Sequence, residues 1–273
     1  MIAELVEIFQ FPFMQRALLA GLLVALVGGL MGVFIVQRGL AFLGDGLAHA
    51  AFGGVALGLL LGVRQWLFVA VPFTLAAAMG IAFVRERTKL SSDTSIGIFF
   101  AVSVALGVLF IGLIQEYTVD AWHLLFGSIL GVGQIDLYVI AGVAALTVLF
   151  MIPMWKRLAY STFDAELAQT DGLRVGMLEY LLFALAAVVV VASVKVVGVI
   201  LVAAYLVIPA AAARLVSRSL FTMTIISVAF SLFSTAFGLV ASFFLDVPSG
   251  STVILTQAAL FIVAALVSRR SHA

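Results

Sequence analysis

The sequence predicts an all-α integral membrane protein, a polytopic bundle of about nine transmembrane helices, and three observations carry that prediction. Of its 273 residues, 65% are hydrophobic and 10% charged, with a mean hydropathy of +1.30, outside the balance of a water-soluble domain of this length. Its apolar runs repeatedly reach the roughly 20 residues that a bilayer-crossing helix needs. Basic residues collect at alternate turns between those runs, the pattern produced when every second turn is cytoplasmic.

The expected spans follow one another with no polar block large enough to fold separately, so residues 1–273 read as a single membrane domain. The first covers about 13–36. The N-terminal stretch before it, Met1-Ile2-Ala3-Glu4-Leu5-Val6-Glu7, carries two acids and no base before Arg16, unlike the basic leader of a signal peptide, so the first span is expected to be retained. The second, 45–61, is short and glycine-rich; the third covers 66–84 and the fourth 94–114. An apolar piece at 122–132 is too short to cross alone. The fifth span is 135–155, the sixth 177–194, the seventh 196–215, the eighth 221–245 and the ninth 251–267.

Arg38, then Arg85, Arg87 and Lys89, then Lys156, Arg157 and Arg174, then Arg214 and Arg218, and finally Arg269 and Arg270 share one side of this scheme. Glu116, Asp120 and Asp246 fall on the other, with Arg64 and Lys195 as exceptions. The C-terminus is therefore placed inside and the N-terminus outside, while a re-entrant second segment would make eight spans and reverse the N-terminus.

Several function classes drop out. A net charge of +1 leaves no basic surface of the size nucleic-acid binding needs. Cysteine is absent, so disulfides, thiolate metal sites and thiol catalysis are excluded, and any metal must meet oxygen or imidazole. No G-x-x-x-x-G-K-[ST] occurs, so ATP has no P-loop here; no H-E-x-x-H or G-x-S-x-G appears either, which weakens a membrane hydrolase.

Ionisable groups inside spans are costly, and each is a functional hypothesis by default. Asp45 and His49, within Gly44-Asp45-Gly46-Leu47-Ala48-His49, lie four residues apart and hence on one helical face. A carboxylate beside an imidazole can bind a divalent metal: both suit zinc, carboxylate also suits manganese, and two ligands fit a transient stop better than a structural site. The competing reading makes Asp45 a helix cap and His49 a side chain satisfied by a neighbouring helix. The surrounding Gly44, Gly46, Ala48, Ala50, Ala51, Gly53 and Gly54 serve close helix packing or line a narrow passage. Asp120 and His123 form a second acid–imidazole pair on the outer side, where a membrane-interface role with Trp122 as anchor competes with ion contact. Lys195 interrupts an apolar stretch near the outer interface, with Asp246 or another outer acid as a candidate partner. Pro209, near the inner end of the seventh span, should kink or end that helix, for gating or for fixed packing.

The cytoplasmic connection 156–175 contains Thr162-Phe163-Asp164-Ala165-Glu166-Leu167-Ala168-Gln169-Thr170-Asp171-Gly172, a cap signal, helix formers and a glycine stop. It reads as a short helix at the membrane surface, the alternative being a solvated loop.

Taken together, these segments resemble the permease subunits of the zinc and manganese ABC importers, a bacterial family in which two permeases sit on two ATPases and receive metal from an extracytoplasmic binding protein. The similarity runs nearly end to end: Phe13-Met14-Gln15-Arg16-Ala17-Leu18, Leu43-Gly44-Asp45-Gly46-Leu47-Ala48-His49-Ala50, Asp93-Thr94-Ser95-Ile96-Gly97-Ile98, Leu124-Leu125-Phe126-Gly127, Glu166-Leu167-Ala168-Gln169-Thr170-Asp171-Gly172, Val197-Gly198-Val199-Ile200-Leu201, Pro209-Ala210-Ala211-Ala212-Ala213-Arg214 and Pro248-Ser249-Gly250. The resemblance implies a bundle similar to that of the vitamin B12 importers and a homodimer in a bacterial plasma membrane. It implies a metal pathway past Asp45 and His49, and a coupling helix within about 162–175, with Asp164, Glu166, Leu167, Ala168, Asp171 and Gly172 facing or shaping the ATPase contact. The implied function is ATP-driven import of a divalent transition-metal ion by alternating access, with zinc the first candidate, manganese the next and iron the third, with no resident cofactor and with ATP used by the partner. An ion-coupled secondary transporter is the main alternative, and a membrane enzyme or purely structural subunit a further one.

Overall fold

The structure, a computed structural model, describes residues 11–88, 90–114 and 131–270, which form ten α-helices. In chain order they are α1 (Pro12–Gln37), α2 (Leu43–Leu60), α3 (Leu67–Arg87), α4 (Ser92–Gly112), α5 (Gln134–Phe163), α6 (Ala165–Thr170), α7 (Val175–Val197), α8 (Val199–Val216), α9 (Leu220–Leu245) and α10 (Ser249–Arg270). Among the described residues nine of them, all but α6, are long and apolar enough to cross a membrane. Lipid offers a peptide group no hydrogen-bond partner, so an apolar chain that enters it must satisfy its backbone internally, as these helices do.

Two elements bear on the expected spans. The 18-residue α2 is one continuous helix, about 27 Å long at the helical rise and close to the thickness of the hydrocarbon layer, so the count of nine stands over eight. The fifth span runs on past its expected end at 155 to Phe163. Hydropathy falls at Lys156, but helical hydrogen bonding continues equally well in water; 30 residues make a rod of about 45 Å, which carries its last turns out of the bilayer.

Helices α1, α2 and α7 are the most enclosed of the long elements. α1 is surrounded by α5, α8 and α9, while α2 packs on α3, α4, α7 and α8. Helices meet in a membrane through close backbone approach, which demands small residues at the crossing. A Cβ at Gly32 would lie 2.6 Å from the carbonyl oxygen of Leu206, and one at Gly44 would lie 2.9 Å from that residue's Cδ1. On α2, a Cβ at Gly46, Gly53 or Gly54 would likewise meet Ile96, Ser103 or Ala70 at 2.6, 2.8 and 2.7 Å. Packing, rather than an open passage, is what these glycines serve. Buried hydroxyls add interhelical bonds: Ser227 donates to the Gly29 carbonyl at 2.8 Å, and the Tyr205 and Thr235 hydroxyls lie 2.5 Å apart.

Ionic contacts sort the helix ends into the two sides that the charge pattern assigns. Arg85 pairs with Glu179, and the Tyr180 hydroxyl donates to Glu86 at 2.8 Å, at the end where Arg38 meets the last turns of α5. At the other end Lys195 pairs with Asp136, so its partner is this outer acid and not Asp246. Pro209 lies inside α8, which continues to Val216: the helix does not end there. A missing amide at one position leaves the rest of the ladder to hold.

The crossing at Gly32 gives a direct test. Gly32→Val should destabilise the permease by about 1–3 kcal/mol through overpacking and lower its unfolding temperature in detergent, whereas Gly142→Ala, whose Cβ meets open space, should not.

Candidate metal site and cytoplasmic coupling helix

α2 begins after Phe42, and no side chain caps it there. Asp45 lies in its first turn, where the helix dipole favours a carboxylate. One turn later, His49 Nδ1 is 3.0 Å from the Asp45 carbonyl oxygen and 3.5 Å from Asp45 Oδ1. A carbonyl oxygen only accepts, so Nδ1 is the N–H that donates to it. The neutral ring then keeps its lone pair on Nε2, the arrangement of a metal-ligating histidine whose second nitrogen is held by an oxygen. Among the described residues Nε2 has no hydrogen-bond partner, and the ring's remaining neighbour is Phe100, edge-on at 4.6 Å. Asp45 makes no cap bond, and the hydrogen bond of His49 stays within its own helix while its ring packs on α4.

Both side chains are reachable, at 44% exposure for Asp45 and 25% for His49. Asp45 opens on a cavity of about 310 Å³ bordered also by Phe42, Gly46, Asp93, Ile96 and Phe100. Asp93 was not legible as a site residue. In the sequence, Ser91-Ser92-Asp93 ahead of an apolar run reads as helix-start chemistry, and Ser91 does cap α4, accepting from Thr94 N at 3.1 Å. Only the packing of α4 on α2 brings the second carboxylate to the cavity that Asp45 borders. Among the described residues no group of three or more His, Cys, Asp or Glu could hold a metal ion. Asp120 and His123 lie outside the described residues.

At the cytoplasmic end the 156–175 connection holds the helix expected there, α6. The Asp164 side chain accepts from Leu167 N at 2.9 Å, a standard N-cap. Leu173 N returns to the Ala168 carbonyl at 2.9 Å, and Gly172 adopts φ +85, a left-handed stop that glycine takes without strain. Ala168 is buried, whereas Glu166 and Leu167 face outward, and Asp171 accepts from the Tyr160 hydroxyl at 2.5 Å. Ala168 thus anchors the helix, and Glu166 and Leu167 lie on its exposed face. Behind it, burial pulls the Arg38 guanidinium below its ordinary value, with Glu179 acting in the opposite direction. Pro209 lies one turn beyond Leu206, the residue against which Gly44 packs.

Residues 10–268 match the profile of the ABC 3 transport family. The chain belongs to that family. It is 36% identical over 273 residues to the manganese import system permease protein ScaB of Streptococcus gordonii, covering 100% of this chain and 98% of that protein. It is 35% identical over 254 residues to the high-affinity zinc uptake system membrane protein ZnuB of Haemophilus influenzae, covering 93% and 97%. Among solved structures it superposes with a TM-score of 0.85 and 37% identity on a chain of PsaBC from Streptococcus pneumoniae in complex with Fab, covering 97% of this chain and 95% of that one. The protein is therefore an ABC permease, multi-pass in the bacterial plasma membrane, and it shares its fold with the PsaBC chain.

The Asp164 cap holds α6 to α5, and Asp164→Ala should speed amide hydrogen exchange across 165–170 about fivefold with α5 unaffected, measured by mass spectrometry on the intact permease.

Proposed function

We propose that this permease carries a divalent transition-metal ion inward past Asp45 and His49, as the membrane-spanning half of an ATP-driven importer. The observation that carries the reading is the pair itself: a half-exposed carboxylate one turn from an imidazole whose Nε2 has no hydrogen-bond partner among the described residues, on a helix otherwise built for close packing. A permeating ion must be held weakly enough to leave, and two donors from one chain meet that requirement. Relatives named for manganese and for zinc stand at 36% and 35% identity, too close to separate the metals. The donor types fit both.

A second copy completes the account. α4 exposes Asp93, Gly97, Ala101 and Ala105 at four-residue spacing, and a Cβ at Gly97 would meet nothing within 4 Å. A face of small residues allows another helix to approach closely in a membrane. Homodimerisation there sets two Asp45–His49 pairs toward one pathway. With no P-loop in this chain, two partner ATPases supply the energy, and their contact is α6, where Leu167 and Glu166 project. An extracytoplasmic binding protein delivers the ion to the outer face, and α6 displacement exposes the site to each side in turn, so the chain itself catalyses no covalent reaction.

The test is the zinc and manganese content of metal-starved cells expressing the permease with its neighbouring ATPase and binding protein, wild type against the double substitution Asp45→Ala, His49→Ala. Wild type should accumulate one of the two metals, and the variant, equally abundant in the membrane, should fall to the level of cells lacking the permease. Undiminished accumulation in the variant would remove the pair from the pathway; accumulation without the ATPase would favour an ion-coupled secondary transporter.

A further inference from the structure

Taking the proposed transport role as its basis, we infer that Arg38 is the positioning residue that ties movement of the coupling helix to the helix carrying Asp45 and His49. Arg38 closes α1 and is the first residue of the connection to α2. Its guanidinium crosses to the last turn of α5, 123 residues away from Ser161 in sequence: Nε donates to Thr162 Oγ1 at 3.0 Å and Nη2 to Ser161 Oγ at 2.9 Å, with the Leu158 carbonyl at 3.5 Å. A planar fork of donors suits several acceptors held at fixed angles, which a lysine point charge does not reproduce. A cation at this position also meets the negative end of the α1 dipole.

Both sides of this contact are short and stiff. On one side, Thr162 lies two residues before Asp164, whose carboxylate caps α6, and α6 is tied back a second time by Tyr160 to Asp171. On the other side, Arg38 leads directly into Gly39 at φ +66 and the fully buried Leu40, whose amide returns to the Ile35 carbonyl at 2.9 Å. Leu43 N then bonds the Leu40 carbonyl at 2.9 Å and Gly46 N bonds Phe42 at 2.9 Å, so the 38–46 turn has hydrogen-bonded backbone up to the turn that holds Asp45. Displacing the end of α5 displaces Arg38, and the hydrogen-bonded turn beyond it passes that movement to the start of α2. Arg38 touches neither the metal pair nor the exposed face of α6, and it acts through both.

The experiment uses the complete transporter, permease with its ATPase and binding protein, in liposomes, with metal uptake and phosphate release measured in the same vesicles. The metal is Mn²⁺ or Zn²⁺, whichever the wild type accumulates. Arg38→Gln should lower metal moved per ATP about tenfold while ATP hydrolysis stays within about twofold of wild type, and Arg38→Lys should recover part of the ratio. The double variant Ser161→Ala, Thr162→Val, which leaves Arg38 in place, should uncouple to a similar degree, and combining it with Arg38→Gln should add little. That second variant keeps the test available if Arg38→Gln fails to assemble. A parallel fall of uptake and hydrolysis in both variants, or an unchanged ratio, would overturn the inference. Wild-type vesicles that take up neither metal would instead overturn the transport reading on which it rests.

Discussion

Leu206 is the point on which the bundle closes. The backbone of α1 reaches its carbonyl through Gly32, and α2 reaches its side chain through Gly44, so α1, α2 and α8 meet at one residue of α8. In lipid no hydrophobic force drives helices together, and association rests on van der Waals packing and interhelical hydrogen bonds. The 2.6 Å approach to the Leu206 backbone leaves no room for a methyl group at Gly32, whereas the neighbour of Gly44 at 2.9 Å is the movable end of the Leu206 side chain. Asp45 follows Gly44 directly, so the place of the carboxylate in the membrane is set by the same crossing. Pro209, three residues beyond Leu206, removes one amide from the α8 ladder close to this junction.

From that crossing the remaining features take their positions. α2 is held on its other faces by α3, α4 and α7, which turns Asp45 toward the cavity it shares with Asp93 and sets the His49 ring against Phe100. At the cytoplasmic end the overlong α5 carries Ser161 and Thr162 beyond the bilayer to meet Arg38, and the α6 cap follows within two residues. The start of α2, which carries Asp45 and His49, and the α6 helix are thus joined by a few contiguous polar contacts. The exposed small-residue face of α4 lies beside the same cavity.

Much of this was legible in the sequence. Hydropathy located nine spans, because in lipid a long apolar run has only one way to satisfy its backbone. Four-residue spacing put Asp45 and His49 together, since helical geometry alone decides that. The α6 helix followed from Asp164 and Gly172, a local cap and a local stop. What was not legible is non-local. The end of α5 was placed at Trp155 because charge marks the edge of a bilayer and not the end of a helix. Asp93 stayed hidden behind a cap motif, Asp136 as the partner of Lys195 lies far off in the chain, and the reach of Arg38 to Ser161 leaves no periodic trace.

We propose that the transported ion touches His49. Electron–nuclear double resonance on Mn²⁺ bound to the nucleotide-free transporter in nanodiscs, with the binding protein removed, measures it directly. A nitrogen hyperfine coupling, shifted by ¹⁵N-histidine labelling and lost in His49→Gln, is the predicted result. Manganese bound with an all-oxygen coordination shell, unchanged by His49→Gln, would contradict it.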